Sequence, residues 1–230
     1  MKISRIFTAK DNVIDLINED YNILPVLSRF SIPLGFGNKT IEDVCNNAGI
    51  NINVFLLVIN YILSGNLDKS DLRHISATDL VDFLHNSHDY FLLYKFPHIR
   101  QNLLNALDDS YSDVNPMITR FFDEYVSQAH EHFEYEERVV FPYIRNLSTG
   151  EKSNYSIEEF KKHHDELGEK LSDLKNVILR YYTTSMPNKM YDVLVDLFNC
   201  ELDIKSHTII EDELLTPMVA DMECKKGTTK

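Results

Sequence analysis

The sequence predicts an all-α protein: an antiparallel up-down-up-down four-helix bundle over residues 76–222, preceded by a small helical domain over residues 1–66. Three observations predict it. Apolar residues recur at steps of three and four over long segments. Only 7 Gly and 7 Pro punctuate 230 residues. No strand-like alternation of any length competes with the helical period.

In the N-terminal part, Val13, Ile14 and Ile17, then Ile23, Leu24 and Leu27, keep helical spacing up to the break Ser31-Ile32-Pro33-Leu34-Gly35-Phe36-Gly37. Thr40 is the expected N-cap of the next helix, with Asp43 three residues on completing a capping box, and Gly49 ends that helix. Asn53 is expected to cap a helix over Val54–Leu63 that Gly65 terminates. The segment has the outline of a helix-turn-helix. A DNA reader needs basic residues on its second helix, and between Thr40 and Leu63 there is neither Lys nor Arg. The whole chain carries 36 acidic against 23 basic residues, a net charge of −13. Like charges repel phosphate, so nucleic acid and anionic membrane surfaces are excluded as partners.

After a polar linker, Lys69 to Arg73, four long helical patterns follow at about 77–108, 114–147, 156–184 and 188–222. The connections are short and polar, around Asp108-Asp109-Ser110, Leu147 to Tyr155 and Thr183 to Asn188. Short loops between long amphipathic helices make antiparallel neighbours. No segment approaches the ~20 apolar residues of a membrane span, and the first residues lack the apolar run of a signal peptide. Cys45, Cys200 and Cys224 share no close spacing, so no disulfide framework is expected and a reducing, cytoplasmic setting is.

The chemistry is carried by an internal repeat. The second helix contains HFEYEERVVFP at 132–142 and the fourth contains HTIIEDELLTP at 207–217. Both place Glu four residues after His (Glu136, Glu211) and Pro ten residues after it (Pro142, Pro217). Residues four apart lie one turn apart on one helix face, so each string can offer an imidazole and a carboxylate to the same place. In the fourth helix Val193, Leu197, Cys200, Ile204, His207, Glu211 and Leu214 form the apolar stripe itself. In the third, Phe160, His164, Leu167, Leu171, Leu174 and Ile178 do so. Carboxylates within an apolar stripe are costly unless cations meet them. The first helix offers His85 and His88, both near the Val81/Leu84/Leu92 face, and the pattern favours His85. The expected metal ligands are therefore His85, His132, Glu136, His164, His207 and Glu211. His130 and His163 lie off the stripes, and His74 and His98 lie outside them. Imidazole with bridging carboxylate in a bundle core favours two iron ions, with Mn less favoured.

These strings, with His85-Asn-Ser-His88 and HHDELG at 163–168, resemble the hemerythrin-like HHE cation-binding family. Within it the chain looks most similar to the di-iron repair-of-iron-centres proteins. The resemblance assigns His85 and His164 as the single histidines of helices one and three. It implies a non-haem di-iron centre that meets NO, O₂ or peroxide under nitrosative or oxidative stress and assists repair of iron–sulfur proteins. There are two departures from the family patterns. Oxygen-carrying hemerythrins have a second His four residues along helix three and a final Asp, where this chain has Gly168 and Glu211. The repair proteins carry adjacent cysteines before a glycine-rich turn, where this chain reads Leu34-Gly35-Phe36-Gly37-Asn38-Lys39. A sensor or binding module without repair activity is the alternative.

Overall fold

The computed structural model describes residues 5–66, 75–151, 153–163 and 167–227. The expected all-α class holds: apart from an isolated bridge between Asn12 and Thr40, every regular element among the described residues is helical. Contacts divide the chain into two compact units, Met1–Ser87 with Ile144–Asn154 and Ile210–Lys230, and His88–Tyr143 with Tyr155–Ile209.

The first unit contains α1 (Val13–Glu19), α2 (Ile23–Arg29), α3 (Ile41–Ala48) and α4 (Ile52–Ser64). Thr40 caps α3 as its sequence demands, accepting from the Asp43 N–H while the Asp43 carboxylate accepts from the Thr40 N–H. Gly49 and Gly65 end α3 and α4 with φ of 69° and 67°, a left-handed conformation that costs glycine least. The cap of α4 is Asn51 rather than the expected Asn53: its side chain accepts from the Asn53 N–H, and the helix begins at Ile52. Val13, Leu16, Ile23, Val26, Ile41, Val44, Phe55 and Val58 are buried from these helices. Phe30 packs between Phe55 and Phe83, at 5.2 and 4.7 Å between ring centroids.

The remaining helices form four runs. The first is α5 (Ala77–Asp89), a π-helical turn (Tyr90–Lys95) and α6 (Phe96–Ala106). The second is α7 (Asn115–Tyr135), a π turn (Glu136–Val140) and α8 (Phe141–Thr149). The third has α9 (Ile157–His163) and α10 (Gly168–Tyr181); the fourth has α11 (Pro187–Ile210), a π turn (Glu211–Leu215) and α12 (Thr216–Gly227).

In the second unit all four runs share one core. Phe96, Ile99 and Leu103 meet Phe122, Tyr125 and Phe133, then Leu171, Leu174 and Ile178, then Val193, Leu197, Cys200 and Ile204. Each buried Leu, Ile or Phe contributes roughly 1.5–3 kcal/mol, so this apolar stripe holds the bundle together. At one end, the carboxylate of Asp108 accepts from the N–H and hydroxyl of Ser185 and the N–H of Ser110. Tyr182 accepts from the Asp108 N–H at 2.7 Å and donates to Asn115 at 2.9 Å, joining the loop after α6 to the loop before α11. A buried ion pair of Lys175 with Glu201 links α10 to α11, and Lys205 reaches the other Glu201 oxygen at 3.2 Å.

Among the described residues three π turns recur, and each is followed by X-Pro: Phe96-Pro97, Phe141-Pro142 and Thr216-Pro217. The N–H groups of Phe96, Phe141 and Thr216 reach back five residues, to the carbonyls of Phe91, Glu136 and Glu211. The next carbonyl in such a widened turn would need the following N–H, which proline lacks. A π turn before proline thus places the missing donor where the ladder is already broken.

A candidate metal centre on the second and fourth runs

Each HxxxE string places its glutamate at the first residue of a π turn. Glu136 and Glu211 are both fully buried, as is His207 at 1 % exposure. Together with His88, 2 % exposed, each offers one ligand atom, and these four atoms lie within 4.8 Å of one another. Imidazole nitrogens approach both Glu136 oxygens: His132 Nε2 stands 3.2 Å from Oε1, and His88 Nε2 stands 3.0 Å from Oε2. Neither oxygen of Glu136 receives a hydrogen bond from a described residue. A buried carboxylate left in that state costs several kcal/mol, and a cation between it and the imidazoles removes the cost. The donor set of neutral imidazole and carboxylate suits first-row divalent metals. The residues present therefore fit a metal ion.

Aromatic rings enclose the histidines. His88 stacks on Phe133 at 4.3 Å and on Phe141 at 5.3 Å, and meets His207 edge-on at 5.1 Å. His207 also takes edge contacts from Phe91 and Phe133 at 5.9 and 5.5 Å. Such walls keep bulk water out and strengthen every charge interaction inside.

Of the residues expected from sequence, Glu136, His207 and Glu211 come together here, and His132 joins them through Glu136. His85 does not. It is exposed, on a stripe with exposed Asp82 and Asp89, whereas Val81, Leu84, His88 and Phe91 form the buried stripe at steps of three, four and three. The inward histidine of the first run is thus His88, because its buried stripe passes through Phe91 rather than Leu92. A sequence signal for this existed. Both HxxxE strings reach proline ten residues after His, and Pro97 lies nine residues after His88 but twelve after His85. His164 lies outside the described residues. His98 and His130 are exposed, as their positions off the stripes implied. Sequence reasoning also overlooked Glu137, whose Oε1 stands 2.7 Å from His88 Nδ1.

No helix among the described residues is long and apolar enough to cross a membrane. Among curated proteins, none matches the chain. The hemerythrin HHE cation binding domain matches residues 79–219, a stretch that contains every member of the buried His/Glu group, and the chain therefore belongs to that family.

Proposed function

We propose that the protein is a non-haem di-iron protein of the nitrosative and oxidative stress response, assisting repair of damaged iron–sulfur clusters through iron supply or NO and O₂ chemistry. The observation that carries the paired centre is Glu136. Its two oxygens face two different imidazoles, His88 and His132, at 3.0 and 3.2 Å. A carboxylate with a separate nitrogen ligand beside each oxygen is the arrangement that lets it bridge two cations. Glu211 and His207 supply a second carboxylate and a third imidazole, and His164 completes the proposed set.

When bound, two irons supply one- and two-electron redox chemistry and exchangeable positions for a diatomic ligand or peroxide. The chain's own residues prepare that chemistry. Buried Glu136 and Glu211 provide the negative charge that retains the cations, and Phe91, Phe133 and Phe141 restrict the entry of water.

The test of the centre is metal content and the optical spectrum of the full chain after anaerobic loading with ferrous iron. Two irons per chain are expected, with loss of both in His132→Ala and in His207→Ala. Fewer than two in the wild type ends the di-iron reading. Repair is tested by adding the loaded protein to an enzyme whose iron–sulfur cluster has been damaged by NO or peroxide. Reactivation beyond that given by free ferrous iron supports repair. A second reading, a sensor of NO, O₂ or iron without repair activity, is favoured by the turn at Gly35-Phe36-Gly37, which carries no cysteine. Absence of reactivation with an intact centre selects it.

A further inference from the structure

One segment of the second run, 133–141, surrounds the His88 ring. Phe133 and Phe141 both stack on it, at 4.3 and 5.3 Å between centroids and with interplanar angles of 17° and 6°. Consecutive glutamates address its two nitrogens: Glu136 Oε2 lies 3.0 Å from Nε2, and Glu137 Oε1 lies 2.7 Å from Nδ1. The phenylalanines fix the plane of the ring. They leave open which nitrogen carries the proton of the neutral imidazole, and a metal ligand must present a bare lone pair.

We propose that Glu137 is a positioning residue: it holds the proton of His88 on Nδ1 and so commits Nε2 to the cation, a role that rests on the di-iron reading above. An ionised carboxylate only accepts hydrogen bonds, so the 2.7 Å contact makes Nδ1 the donor. Glu136 cannot serve this purpose, because its carboxylate is itself directed to the centre. Glu137 can. Its side chain is 32 % exposed, so it keeps part of its hydration, while the ring it holds is 2 % exposed. A carboxylate behind a ligating imidazole also raises the basicity of the ligating nitrogen. The adjacent pair Glu136-Glu137 thus divides two tasks: one side chain faces the cations and the other orients a ligand.

The experiment has two readouts on the full chain. The first is the ¹⁵N NMR of histidine-labelled, metal-free protein, in wild type, Glu137→Ala and Glu137→Gln. The neutral His88 ring of the wild type carries its proton on Nδ1. In Glu137→Ala the proton moves to Nε2, facing Glu136, and Glu137→Gln, whose amide oxygen still accepts, keeps it on Nδ1. The second is ferrous-iron affinity by competition with a chelator. It falls roughly 10- to 100-fold in Glu137→Ala and less in Glu137→Gln. An unchanged tautomer or an unchanged affinity in Glu137→Ala overturns the assignment of Glu137. A wild-type chain that binds no ferrous iron overturns the di-iron reading instead, which separates the two failures.

Discussion

Glu136→Gln provides the sharpest test of whether the buried carboxylates exist for cations. Ligand atoms of Glu136 and Glu211 lie within 4.8 Å of each other, and both residues are fully buried. At an effective dielectric constant of about 20, two negative charges at that distance repel by about 3 kcal/mol. The N–H dipole of the His132 ring, whose Nε2 stands 3.2 Å from Oε1, offsets part of this, leaving about 2 kcal/mol. The amide of Gln is nearly isosteric and uncharged. In excess chelator the variant should be the more stable protein by ~2 kcal/mol, a rise in Tm of about 4–8 °C for a chain of this size. Iron reverses the order. At a concentration a thousand times the wild-type Kd, binding stabilises the wild type by about 4.1 kcal/mol. A variant with ~100-fold weaker affinity gains only about 1.4 kcal/mol, so it melts below the wild type. Differential scanning calorimetry of both proteins, with chelator and with anaerobic ferrous iron, measures all four values. A variant less stable than wild type in chelator would refute the reasoning, since Glu136 would then be held by favourable contacts that need no cation.

Other perturbations test other parts of the structure. His88→Ala should abolish iron binding, while His85→Ala, at an exposed position, should leave iron per chain unchanged by elemental analysis. Glu201→Ala leaves the buried Lys175 ammonium without its carboxylate, which costs roughly 3–5 kcal/mol in urea unfolding; Lys175→Met combined with Glu201→Leu should recover most of it. Hydrogen bonds from the Ser185 hydroxyl, then from the Ser110 and Ser185 N–H groups, hold the Asp108 carboxyl well below the ordinary carboxylate range. A folded-state value below the unfolded one contributes stability above pH ~4 that is lost as pH falls. Asp108→Asn should therefore lower Tm at pH 7 and flatten its decline between about pH 5 and pH 2. Burial pushes the Cys45 thiol up to about 12, Cys200 is buried, and Cys224 is exposed. An aromatic disulfide reagent should titrate one thiol rapidly in the native protein and three after denaturation; rapid reaction of two would show that the core around Cys45 or Cys200 opens.

Much of the architecture was legible in the sequence because it depends on local periodicity. The apolar stripe from Val193 through Ile204 to His207 is buried as its spacing requires. The Thr40/Asp43 box and Gly49 bound α3 where capping chemistry puts them. The pairing of His with Glu four residues on was equally local, since one helical turn brings them to one face whatever the rest of the chain does.

The tertiary structure decided what local spacing leaves degenerate. His85 and His88 both lie near the apolar face of α5, and only packing separates them: His88 stacks on Phe133 and Phe141 of another run, while His85 shares the exposed side with Asp82 and Asp89. Glu137 reads as a surface acid along its own helix and gains its role only through a ring from a different one. The π turns likewise combine a local cause, the proline that follows, with a tertiary consequence, a buried glutamate at the start of each of two widened turns. By itself the sequence determined the helices, the all-α class and the His/Glu pairs, because those follow from the 3.6-residue period. Which first-run imidazole joins the buried His/Glu group, and which carboxylate meets its other nitrogen, depends on contacts between helices that no single period encodes.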